Sequence, residues 1–198
     1  MGDFLPSDYK APAQSNYLKF ADGDNTFRIL SAAVVGMEFW KTEVVDGKEV
    51  RRPVRKHQGE QVDISELEVN KVTGDLDMPK HFWAFVVLNK GTGDIQVLEI
   101  TQKGIQKAIR ALVESPKWGD PKTYDITVTK TGKGMDTEYS VMPNPKEALE
   151  DGVMETYKGM NIKLEALFDG KDPFDQASKV SKMVDEVDTA LEAKKHFK

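Results

Sequence analysis

The stretch His81-Phe-Trp-Ala-Phe-Val-Val-Leu-Asn89 constrains this chain most. Seven consecutive apolar residues, five of them aromatic or β-branched, read as a strand. The turn Lys90-Gly-Thr-Gly-Asp94 then leads into Ile95-Gln-Val-Leu-Glu-Ile100, so the two segments form a hairpin. A helix follows. Ile105, Ala108, Ile109, Leu112 and Val113 form one apolar stripe, and Ser115-Pro116 ends it. Residues 123–131 alternate as a strand, Gly132–Asp136 turns, and Thr137–Met142 returns. Pro143-Asn-Pro145 closes the domain.

Upstream, a strand pattern starts at Tyr17–Phe20 and turns over Ala21–Asn25. A long β-rich run from Thr26 to Thr42 follows, with Gly36 read as a bulge or bend. Residues 43–80 show little period and are expected to be one long loop with room for a hairpin. Residues 1–16 read as a flexible arm, 17–145 as the domain, and 146–198 as a helical C-terminal extension. In that extension Val180, Met183, Val184, Val187 and Leu191 make an amphipathic stripe, expected to dock on a partner or a neighbouring copy.

The order is long bent strand, long loop, hairpin, helix, hairpin. A mainly β protein of this order, β-β-β-α-β-β, is expected to be an OB-fold, a five-stranded barrel with a helix between its third and fourth strands. That fold binds ligands on its second and third strands, here 81–89 and 95–100. The loops that wall this face are 41–80 and 131–136.

Charge follows the same map. The chain is acidic, with a net charge of −5 over 198 residues. Yet residues 48–57 carry a net +4, and residues 60–77 reverse it with six acids against Lys71. Basic side chains thus fall where an OB-fold would grip an anionic strand. The candidate cations are Lys41, Arg51, Arg52, Arg55 and Lys56 in the first wall, with Lys130 and Lys133 at the second. Single strands are bound by base stacking beside such cations. On 81–89 the face with polar ends carries His81, Trp83 and Phe85, and it is assigned outward, toward ligand. Trp40 joins them from a polar face of the first strand.

The phrases YLKFADGDNTFRIL (17–30), HFWAFVV (81–87), QVLEITQKGIQKAIRAL (96–112) and YDITVTKTGKGMDTEYSVMPNP (124–145) resemble the single-stranded DNA-binding proteins of tailed bacteriophages. That resemblance implies an OB core that coats single strands in DNA replication, recombination and repair. It also implies contacts with replication or recombination proteins, self-association along DNA, and residence in the cytoplasm of the infected host. The terminus Glu192-Ala-Lys-Lys-His-Phe-Lys198 departs from the acidic tail that many such proteins carry.

Other classes lose support on composition. Cysteine is absent, which removes disulfides and cysteine-ligated zinc. No run of about 18 apolar residues exists, and the N-terminus lacks the basic and apolar regions of a signal peptide. No phosphate-binding loop, nucleophile elbow or zinc-protease motif occurs. Asp63, Asp75 and Asp77 could bind magnesium in a nuclease, but acids at this spacing are ordinary in solvated loops. No catalytic residue, metal or cofactor is expected. The alternative is an OB-fold protein-interaction or scaffold module, which the acidic balance favours.

Overall fold

The computed structural model describes residues 15–71 and 73–174. The arm before residue 15 and the stripe from Val180 to Leu191 lie outside the described residues. The strands are β1 (Tyr17–Leu18), β2 (Gly23–Ile29), β3 (Val34–Val45), β4 (Lys48–His57), β5 (Lys80–Asn89) and β6 (Ile95–Ile100). Helix α1 (Lys103–Glu114) follows, then β7 (Tyr124–Thr131), β8 (Glu138–Lys146) and α2 (Val153–Met160). A 3-10 helix spans Leu164–Asp169.

β5 organises the sheet, because it pairs with three strands. Val87–Asn89 pair with β2, Lys80–Ala84 with β3, and the opposite edge runs along β6. β2 and β3 are therefore two halves of one bent strand, broken at residues 30–33. The break keeps its hydrogen bonds. Leu30 N–H donates to Val86 O, and Val86 N–H donates to Ser31 Oγ, each at 2.9 Å. A side-chain hydroxyl thus replaces the missing ladder acceptor. The bend expected at Gly36 lies here instead. Gly36 is needed for close packing, since a Cβ there would meet Lys56 O at 2.2 Å and the Phe168 ring at 2.8 Å.

The closed five-stranded barrel expected from the sequence is not what the strands form. The sheet has eight strands in the order β1-β6-β5-β2-β7-β8, with β3 and β4 branching from β5. It is mixed, because β1 runs parallel to β6. Its ends, β1 and β8, are not joined by strand pairing among the described residues.

The long loop does hold the hairpin for which its sequence leaves room. β3 and β4 form a ten-pair hairpin around Asp46-Gly47. Both residues have positive φ, 51° and 75°, as a two-residue hairpin turn of matching twist requires. Pro53 is tolerated because β4 is an edge strand, pairing only with β3.

Both faces of β5 are buried. Phe85 and Val87 join Phe27, Leu98, Ile105, Ile109 and Ile126 in the main core beneath α1. Phe82 and Ala84 are covered by Leu167, Phe174 and Phe168, and Val86 and Leu88 by Leu149, Val153 and Tyr157. The described part of the C-terminal extension therefore shares the sheet's core. Burying each large apolar side chain contributes about 1.5–3 kcal/mol. Gln106, the polar residue buried on α1, donates through Nε2 to His81 O and Ile100 O at 2.8 Å each.

Leu167→Ala should cost about 2–5 kcal/mol, the range for a buried leucine, although it lies far outside the strands. Urea unfolding checks this. An unchanged midpoint would mean that residues 149–174 are a detachable appendage.

Candidate nucleic-acid interface

With the second and third expected strands covered on both sides, the open surface lies elsewhere. One groove there, of about 520 Å³, runs along the seam where the two ends of the sheet approach. Tyr17, Lys19 and Phe20 line it from one side, Trp40 and Pro53 from the β3–β4 hairpin, and Tyr139 from β8. The Phe20 and Tyr139 rings bridge the seam with centroids 6.0 Å apart. Leu18, between Tyr17 and Lys19 in sequence, turns into the core. This alternation gives β1 one anchoring side chain and leaves Tyr17 and Lys19 on the opposite side.

The floor holds a buried charge cluster. Arg55 donates to Glu38 and to Glu99 at 3.0 Å each, and its guanidinium lies 4.6 Å from the Phe82 ring centroid. Only 7% of its side chain is exposed. Arg55 thus joins β4, β3 and β6, and it is spent on structure. Burial raises the Glu99 carboxyl above its ordinary 4.5, with Glu38 adding repulsion and Arg55 opposing. Burial, with Asp172 and Glu99 nearby, pushes the Tyr17 hydroxyl up to about 12. It stays a neutral donor in the physiological range.

The sequence-predicted residues divide. Trp40 is 36% exposed, and the Arg51 guanidinium sits 5.6 Å from its ring centroid. Arg52 and Lys133 are exposed and make no ion pair within 4 Å among the described residues. Three others are paired: Lys41 with Glu66 at 2.8 Å, Arg51 with Asp77 at 2.5 Å, and Lys130 with Asp22 at 3.0 Å. Lys56 lies 3.7 Å from Glu66.

The outward assignment of Trp83 and Phe85 is corrected. Phe85 is 2% exposed in the main core, and Trp83 packs against that core. His81 is occupied as well, with Nδ1 accepting from Trp83 Nε1 at 3.1 Å. Tyr17, Lys19 and Phe20 were not foreseen. They reach the groove through the pairing of Tyr17 with Val97, eighty residues away, which leaves no local signal.

No group of three or more His, Asp or Glu able to hold a metal ion occurs among the described residues. No helix among them is long and apolar enough to cross a membrane. Comparison with protein-family models, curated proteins and solved structures finds no match.

The Glu99 shift sets a pH dependence. Folded Glu99 holds its proton more tightly than the unfolded chain does. The stability this contributes is full below about 4.5 and is lost as pH rises through the raised folded value. Glu99→Gln should therefore flatten the decline between acid and neutral pH, with Arg55 still paired to Glu38. At pH 7 its urea midpoint should equal or exceed the wild type's. A clear drop at pH 7 would show that the ion pair outweighs the burial cost.

Proposed function

We propose that the chain is a non-catalytic single-stranded DNA-binding protein that grips its ligand along the seam groove. The observation that carries this is the row of four rings, Tyr17, Phe20, Trp40 and Tyr139, along one open channel with Lys19 at its edge. Aromatic faces stack on any base, and lysine and arginine neutralise phosphates, so such a channel takes a strand with little regard to sequence. A duplex offers no unstacked bases to these rings.

On an OB-fold reading, the bent β2–β3 strand, the β5–β6 hairpin, α1 and the β7–β8 hairpin stand for its five strands and helix. The described β1, the long β3–β4 hairpin and the covering segment 149–174 are elaborations on it. The phrases that resemble phage single-stranded DNA-binding proteins fall within these elements. On that resemblance the chain coats single strands during replication, recombination and repair in an infected bacterium, together with replication proteins.

A protein-interaction module is the second reading. Exposed Val44, Ile64, Val69 and Met78 on the hairpin and its following loop favour it.

A fluorescence titration with oligodeoxythymidine separates the two. Trp40→Ala should weaken binding by about 1–3 kcal/mol with little change in melting temperature, because its ring is partly exposed. Lys19, Arg52 and Lys133, each worth about 0.7 on a single strand, predict a log–log salt slope of roughly −2. No quenching at low salt would favour the protein-interaction reading.

A further inference from the structure

The connection from β4 back to β5 has to pass along β3. β5 pairs with β3 only up to Glu38, so the edge of β3 from residue 39 onward is open. Residues 63–69 and Asp77 lie against the hairpin there. Asp63 caps a short 3-10 turn over Ile64–Glu66 by accepting from Ser65 N–H. The turn presents Glu66 to Lys41 at 2.8 Å and to Lys56 at 3.7 Å. Glu68 takes both the Thr42 N–H and the Thr42 hydroxyl. Asp77 takes Arg51. These partners lie far away in sequence, whereas Glu60 caps the end of β4 at the His57 N–H and Asp63 serves a turn within the connection itself.

We propose that a second phosphate track wraps the free edge of β3, with Lys41 and Lys56 on one face of the hairpin and Arg51 on the face that carries Trp40. In the free protein, Glu66, Glu68 and Asp77 hold that track shut as an internal substitute for the DNA backbone. The inference rests on the single-strand-binding reading and names its regulation. A phosphodiester presents charged oxygens to the same donors that the carboxylates now occupy. Binding is then an exchange of anions on cations that the two faces of the hairpin present. Each pair is at least partly open to water and individually weak, so the exchange is reversible.

Arg51 couples the two surfaces. Its guanidinium pairs with Asp77 and also covers the Trp40 ring. A base stacking on Trp40 must displace Arg51 from that face, which loosens its hold on Asp77. Entry into the groove and opening of the track therefore favour one another. Hydrogen bonds to Thr42 and Lys41 hold the carboxyls of Glu68 and Glu66 below the ordinary carboxylate range, so the substitute stays charged at neutral pH.

The test compares wild type with Glu66→Gln/Glu68→Gln/Asp77→Asn by titration with oligodeoxythymidine across salt. Freeing three cations should tighten binding about ten-fold at low salt and steepen the log–log slope by about 2. An equal affinity and slope, with wild type binding, overturns the internal substitute and leaves the groove standing. Binding by neither protein overturns the single-strand reading and the substitute with it.

Should the triple variant fail to fold, hydrogen exchange on wild type decides. Oligonucleotide should reduce protection of the Thr42 amide as Glu68 leaves it. Unchanged or increased protection overturns the exchange.

Discussion

Everything in this protein depends on β5 being buried on both faces. Phe82, Ala84, Phe85, Val86 and Val87 are each at most 2% exposed. A strand in that state needs hydrogen-bonded neighbours on both edges and apolar cover above and below. The bent β2–β3 strand and β6 supply the edges. The main core with α1 covers one face, and residues 149–174 cover the other. The break at residues 30–33 is repaired by Ser31.

That constraint decides where a ligand can go. In the OB-fold pattern the second and third strands offer a binding face, and here the C-terminal segment occupies one side of them. One concave surface that remains is the seam between β1 and β8, which strand pairing does not close among the described residues. Its rings are only partly packed: Tyr17, Phe20 and Tyr139 rest against the core, and Trp40 is 36% exposed beside Arg51.

Charge is organised by the same geometry. Arg55 and Arg28 are cations consumed by the fold, Arg55 between Glu38 and Glu99 and Arg28 against Asp125 at 2.6 Å. A buried arginine of this kind is costly to unpair, since the acids left behind would be buried without a counterion. The cations on the hairpin surface are in a different position. Their partners come from a neighbouring connection, in water, where pairing is weak enough to be replaced. An acidic chain thus carries a basic hairpin surface whose charge is largely offset by the acids of a neighbouring connection.

The amino-acid sequence by itself determined the local elements. The hairpin over 81–100, the stripe of α1, the second hairpin and the long bent strand all follow from period and turn chemistry within a few residues. Asp46-Gly47 also signalled the β3–β4 hairpin, but Arg51, Arg52, Arg55 and Lys56 hid the alternation of β4. Its side chains face water and acids, so charge replaces the usual apolar period. Tertiary structure alone decided which face of β5 meets what. Trp83 and Phe85 alternate with Phe82 and Ala84, and alternation identifies two faces without saying what covers either. The cover comes from Ile105 and Ile109 on one side and Leu167 and Phe174 on the other. The same holds for the cations. Lys41 and Glu66, or Arg28 and Asp125, are paired by chain reversals between distant segments, and no local pattern of residues encodes which charge a folded neighbour will bring.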